Sequence, residues 1–433
     1  MTAHARARSA AESKLSEQFE ASKTSARSPQ RAAAFERFAA SGLPTRRAES
    51  WHYTDLRSVM TDAAPIAAPP DRAAIETAKT LLAGRKTTDV SRLVTVNGRF
   101  APELSDAPPT GAVVTSREGR ASGAEDPMAL LVEAMAPDVV AVDVAVGAAL
   151  AGPVEIVHVA VGESPYSLYS WTEVALGAGA RATVIETFLG AAAAVQRHAA
   201  TTLKLGRGAR LEHVAVVGDD PELHLESQFV DLEAEAELDA FGCVSGGSLT
   251  RRQIFAKLVG EDAKIALSGL ALLDRTRRAD TTLQVLHAAP RGVSREFYRA
   301  IVADEAAGVF QGKVVVAPGA QKTDGAMKSQ AVLLSPQAQM NAKPELEIFA
   351  DDVVCGHGAT VASIDPEQIF YLQTRGIPKD EAEAMLLEAF GAEAIERVED
   401  EAAADALRTL LRAWLGARHT AGARLGGMTE AGA

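Results

Sequence analysis

A six-residue phrase returns along this chain every 27 to 30 positions, and it limits the possible folds more than any other feature. It reads L-G-A-G-A-R from Leu176, L-G-R-G-A-R from Leu205, L-E-A-E-A-E from Leu232 and V-G-E-D-A-K from Val259, with weaker echoes from Leu286 and Val316. A period of that size marks a supersecondary unit that cannot bury its apolar face alone, so its neighbours must stack on it. Between the phrases lie short alternating segments such as Leu223, Leu225, Ser227 and Phe229, the period-two signature of strands. Stacked strand units make a β-solenoid. Coils joined in one direction predict a right-handed parallel β-helix with a narrow interior that suits Ala. A β-sandwich gives no reason for the repeat, and the L-x-x-L-x-L-x-x-N phrase of a leucine-rich horseshoe is absent.

The β-type texture runs over 139–364, and we expect helical parts on both sides of it. Residues 1–28 are rich in Ala, Ser, Arg and Lys and read as a flexible extension, poorly ordered or loosely helical. Residues 29–138 form a helical and mixed segment, with short helices expected over Pro29–Ala40 and Pro127–Met135 and a hairpin turn at Asn97-Gly98. An Ala/Pro-rich linker is expected over 61–70, and Trp51 and Tyr53 are expected to anchor their segment on the main body. Over 365–416, Asp365 caps a helix with Pro366 at its first position, and two apolar stripes follow. One stripe is Ala382, Met385, Leu386, Ala389 and Phe390; the other is Leu407, Leu410, Leu411, Trp414 and Leu415. The stripes pack on each other or leave a partner-binding face. Residues 417–433 are Gly/Ala-rich and read as a flexible tail.

The stretch K-P-E-L-E-I-F-A-D-D-V-V-C-G-H-G-A-T-V, from Lys343, carries the chemistry. Cys355 and His357 stand two residues apart, so on a strand both leave the same face with Cα atoms roughly 6.6 Å apart. Thiol and imidazole suit zinc, copper or iron–sulfur chemistry. Taken alone, the pair is more commonly a core thiol beside a structurally satisfied histidine. Cys243 is the only other cysteine, 112 positions away, so neither a disulfide framework nor a four-thiolate site can come from this chain. Any cluster held here takes ligands from another chain or from carboxylates such as Glu345, Glu347, Asp351 and Asp352, which also fit a solvated strand face. Cys243 reads as core.

Acidic residues outnumber basic ones, 57 to 44, which disfavours nucleic acid or an anionic membrane as partner. There is no run of about 18 apolar residues and no signal-like start, and with two cysteines a reducing cytoplasmic setting is expected. No G-x-x-x-x-G-K-[ST] loop and no G-x-S-x-G elbow occurs. A nucleophilic Cys355/His357 dyad has no orienting third group. A β-helix carbohydrate-active enzyme is the alternative class, resting on Glu233, Glu235 and Glu237, but aromatics for sugar platforms make up only 5% of residues.

Three stretches carry a family resemblance: L-P-T-R-R-A-E-S-W-H-Y-T-D-L from Leu43, Q-K-T-D-G-A-M-K-S-Q-A-V-L-L-S from Gln321, and the Lys343 stretch continued to R-G-I-P at Arg375. Together they span most of the chain, which resembles the SufB/SufD family of SUF iron–sulfur cluster assembly scaffolds. C-G-H-G-A-T-V has the form of the family's SufD branch. The resemblance implies a non-catalytic scaffold with a β-helix that pairs with SufB and C-terminal helices that hold the ABC-type ATPase SufC. Met385, Phe390, Leu407, Leu411 and Trp414 are then candidate SufC contacts. It implies that His357 contributes to a transient iron or iron–sulfur site shared with SufB, with no cofactor held tightly by this chain alone; Cys355 beside it stays equally open as a second ligand or a core thiol. A homodimer in place of SufB pairing, as in a SufB-like paralogue, is the remaining alternative.

Overall fold

The computed structural model describes residues 7–22, 28–84, 90–117, 125–192, 194–218 and 223–429. The repeated phrase is the corner of a coil. Leu176 ends the strand Tyr166–Leu176 with its side chain inward, Gly179 takes φ 69°, Ala180 is fully buried, and Arg181 starts the next strand, Arg181–Ala192. The same left-handed residue recurs as Gly147, Gly208, Glu235, Asp262, Arg291 and Lys322. Gly179 and Gly208 accept this conformation without steric cost, whereas a side chain there costs on the order of 1 kcal/mol. Stacking offsets that cost at the non-glycine corners. The N–H groups of Gly208 and Glu235 donate to Ala234 O (2.9 Å) and Glu261 O (2.8 Å), and Arg291 donates to Gln321 O (2.9 Å).

The corners join two sheets into a parallel β-solenoid of about seven turns. A ten-stranded sheet runs from Val354–Ala362 at one end to the hairpin Ser91–Val96/Arg99–Phe100 at the other. A nine-stranded sheet runs from Gln339–Ile348 to Val139–Val144 and the antiparallel Ala112–Arg117. In the first sheet Arg181, Arg210, Glu237, Lys264, Val293, Asp324 and Val354 stand in lateral register, so a residue's position within its repeat sets whether it faces inward. The mainly β class, the parallel solenoid and the flanking helices are as the repeat and its flanks lead one to expect.

The interior is divided lengthwise. One half is apolar, built from residues such as Val184, Leu211, Leu238, Ile265, Leu258 and Val285. The other half is polar: His158 and His213 donate to opposite oxygens of Glu186 at 3.1 and 2.9 Å, and Gln228 donates to His213 Nδ1 at 3.1 Å. Burial alone would raise the Glu186 carboxyl, but the hydrogen bonds and the charge interactions of the two histidines together outweigh it and hold it well below the usual range. Arg252 grips Glu226 through two bonds of 2.8 and 3.0 Å. It fits because Gly242 faces it across the coil; a Cβ there would lie 1.5 Å from Arg252 Nη1.

Helices cover the outer faces. On the nine-stranded sheet, Ala10–Ala21, Pro29–Ser41 and Pro127–Met135 share a core with Tyr169, Trp171, Leu223 and Leu249. Trp51 is the anchor of its segment: its indole donates to Asp126 at 3.0 Å and the Arg251 guanidinium lies 3.8 Å over its ring. Two expectations change here. Within residues 1–28, read as a poorly ordered or loosely helical extension, Ala10–Ala21 is a packed helix closed by a Ser9/Glu12 capping box, and Phe19 stacks on Phe35 at 3.9 Å. Only two large apolar residues, Leu15 and Phe19, are needed to seat it, too few to stand out in composition. The 61–70 linker is also tied down, since Ile66 bridges to Ser167 and Ala67 N–H donates to Ser167 O at 2.8 Å.

The ten-stranded sheet is covered by Lys379–Ile395 and Glu401–Thr429, with Pro366–Thr374 alongside. The last helix continues to Thr429, through most of the 417–433 tail expected to be flexible; Ala, Arg and Leu favour helix, and an interior Gly such as Gly416 costs only about 1 kcal/mol. Among the described residues no helix is long and apolar enough to cross a membrane.

Candidate functional site

Gln339–Ile348 and Val354–Ala362 are the last strands of their sheets, and each presents one edge that no strand among the described residues pairs. Val354, Val361, Ile348 and Phe349 are exposed at this end, by 73, 42, 39 and 62%. A terminal coil with apolar exposure and two free edges is what further pairing by another chain requires.

Cys355 and His357 lie on the final strand, Val354–Ala362, and face the interior side. Cys355 is beside Gly325 and His357 beside Met327, whose side chain belongs to the interior core. Cys355 is half-buried against that core, and its thiol is pushed up first by burial and further by the charges of Asp324 and Glu296, with a hydrogen bond from Gly325 opposing. His357 is exposed at the rim. The structure thus brings the two donors onto one face. Among the described residues no three His, Cys, Asp or Glu side chains are arranged to hold a metal ion, so this pair is an incomplete ligand set.

The neighbouring carboxylates do not complete it. Glu345 and Glu347 pair with Lys343 (3.1 Å) and Lys313 (2.6 Å), and Asp352 pairs with Lys322. Asp351 points to solvent. Glu233 and Glu235 sit at a corner, where Arg207 pairs with Glu235 at 2.5 Å, and Lys264 pairs with Glu237 at 2.7 Å. Cys243 is fully buried under the C-terminal helices, and burial pushes its thiol up to about 12, so it is core as expected.

The C-terminal candidates separate. Leu407, Leu411 and Trp414 are 3, 0 and 9% exposed and pack on the outer face of the ten-stranded sheet, so they are not an open partner surface. Phe390 is half-buried under the Arg299 guanidinium, 4.2 Å from its ring. Of the five, only Met385 is well exposed, at 47%. Of the expected stripe, the helix Lys379–Ile395 fully buries only Ala382, and its other buried residues are Leu387, Gly391, Ala394 and Ile395, because Gly391 lets Leu411 approach to within van der Waals distance. The exposed apolar groups are Phe370 (66%) and Tyr371 (58%) on Pro366–Thr374, a helix with no buried residue.

Comparison with known proteins agrees with this architecture. The family described as "SUF system FeS cluster assembly, SufBD core domain" matches residues 159–390, and the "SufBD protein N-terminal region" matches 13–160. The chain belongs to the SufBD family. A relative named iron–sulfur cluster assembly protein SufD, from Escherichia coli (strain K12), is 33% identical over 94% of this chain and 96% of its own length. A SufBD family protein of Synechocystis is 24% identical over 82% of this chain and 84% of its own, and a SufD of Bacillus subtilis is 36% identical over 25% of each. Membership in the SufBD family places the chain in SUF iron–sulfur cluster assembly.

Sequence reasoning missed the polar half of this SufBD interior. Ser294, Glu296 and Tyr298 share the phase of Ala300 and Val302 in V-S-R-E-F-Y-R-A-I-V, which is enough to mark them as inward-facing once the strand is placed. Glu296 lies laterally beside Leu267, where the preceding coil has an ordinary core residue.

Proposed function

We propose that this chain is a non-catalytic scaffold subunit of a SUF assembly complex, pairing through its open solenoid end with a SufB-type partner and holding the SufC ATPase through its C-terminal helices. The observation that carries this reading is the incomplete donor pair at an unpaired edge. A thiol and an imidazole on the inner face of the last coil need ligands from a second chain before they hold iron or a nascent cluster. The exposed Val354, Val361 and Phe349 are the apolar groups such a partner covers. His357 is the rim ligand and Cys355 the inner one. The SufC surface is the exposed Phe370, Tyr371 and Met385, while Leu407, Leu411 and Trp414 hold the C-terminal helices on the sheet. Two unpaired cysteines fit a reducing cytoplasm.

Anaerobic co-expression with SufB and SufC, followed by size exclusion and iron and sulfide determination, tests this. A single heteromeric complex is expected. His357→Ala leaves the complex assembled and lowers its cluster content; an unchanged content removes His357 from the site. Elution of this chain apart from an intact SufB–SufC complex refutes the scaffold role. Expressed alone, the chain is expected to pair edge to edge with itself, read as a doubled mass that dissociates when SufB is added.

A further inference from the structure

Two columns of inward residues lead from the open edge into the solenoid. Cys355 is followed by Gly325 and Ser294, and His357 by Met327 and Glu296, one residue per coil. Glu296 therefore stands two coils beneath the donors, about 10 Å along the stack at the usual strand spacing. It is 2% exposed, and neither its carboxyl oxygens nor the Ser294 hydroxyl has a well-formed hydrogen bond.

A buried carboxylate with no ion pair and no hydrogen bond of good geometry among the described residues is strongly unfavourable, and packing does not require one, since Leu267 fills the equivalent place a coil earlier. Burial pushes Glu296 up to about 7, with Ser294 and Arg295 opposing. Met327 separates Glu296 from His357 in one column, and the column beside it is loosely filled. A Cβ on Gly325 would lie 3.5 Å from both Cys355 Sγ and Ser294 Oγ, so the missing side chain leaves a gap between the thiol and Ser294. Met327 does not fill it; its sulfur reaches across the interior to within 2.4 Å of where a Gly312 Cβ would be.

We propose that Glu296 is the interior countercharge of the metal site at the solenoid's open end: ferrous iron entering there takes Cys355 and His357 together with ligands from the pairing chain, while the Glu296 carboxylate balances its charge from the dry side. One thiolate at the ion and one carboxylate about 10 Å beneath it carry two negative charges, which together match a divalent ion. Because water is excluded on that side, the interaction is screened far less than one with a surface carboxylate. Glu296 acts through Cys355 and His357 and is a positioning residue. The inference rests on the reading that these two residues take iron.

The test is anaerobic titration of the co-expressed complex with SufB and SufC, using Co2+ as the only added metal and following the thiolate-to-cobalt charge-transfer band and the visible d–d bands. Glu296→Gln keeps the shape and removes the charge; it is expected to weaken cobalt binding about tenfold, with band positions unchanged because the ligands are unchanged. Glu296→Asp is expected to recover part of the loss, and Glu296→Gln is expected to melt no lower than the wild type, which separates the effect from misfolding. Glu296→Gln binding within about twofold of the wild type overturns the inference. If Cys355→Ser and His357→Ala abolish the band while Glu296→Gln does not, the edge site stands without the countercharge. If Cys355→Ser and His357→Ala bind as the wild type does, or the wild type gives no band, the edge site falls with it.

Discussion

Glu296 also sets a pH dependence of stability that can be measured with no metal present. Its carboxyl titrates at about 7 in the folded chain and near its ordinary 4.5 once unfolded. Between those pH values the folded protein holds a proton that the unfolded chain has released, so stability falls as pH rises through the window. The contribution is fully present below pH 4.5 and lost above about 7. At 1.36 kcal/mol per pH unit, the separation is worth up to about 3 kcal/mol. Glu296→Gln has no proton to lose and is expected to flatten this component. Thermal unfolding of both proteins in chelator, from pH 5 to pH 8, checks it. The difference in midpoint, variant minus wild type, is expected to climb by several degrees across the range, because every other titrating group is common to both proteins and cancels. Parallel curves, or a difference that shrinks with rising pH, would show that Glu296 is not buried and unpartnered as described.

Other consequences follow from named contacts. Gly242→Ala forces Arg252 out of its two-bond grip on Glu226 and is expected to cost about 3–5 kcal/mol, read by denaturant unfolding; a loss under about 0.5 kcal/mol refutes the tight approach. Phe370→Ala with Tyr371→Ala is expected to weaken SufC co-purification with unchanged circular dichroism, whereas Leu411→Asp, at a fully buried position, is expected to lower helix content; the reverse pattern returns the docking face to the last helix. Under native conditions iodoacetamide is expected to label Cys355 slowly and leave Cys243 unlabelled, as counted by mass spectrometry, since Cys243 is fully buried with its thiol pushed up to about 12.

The repeat, the alternation and the capped start at Asp365 were legible because each is local: a corner phrase, a two-residue period and an N-cap fall within one element. The Cys355/His357 pair was legible for the same reason, since two residues on one strand share a face whatever surrounds them. The helix Ala10–Ala21 was not, because its two large apolar anchors meet partners far along the chain. Nor was the buried side of the C-terminal helices. Lys379–Ile395 carries apolar residues on two overlapping stripes, and only packing against Leu411 chose between Met385 and Leu387.

By itself, then, the sequence determined that this chain must stack 27-residue strand units, that it cannot complete a thiolate cluster, and that its soft donors sit together at the end of the run. Only the tertiary structure decided that those donors stand on an unpaired edge, and that a lone carboxylate lies two coils beneath them behind a glycine gap. The physical reason is the register of the stack. Residues some 30 positions apart become lateral neighbours, and whether a buried charge finds a partner there depends on what every adjacent coil places in the same column.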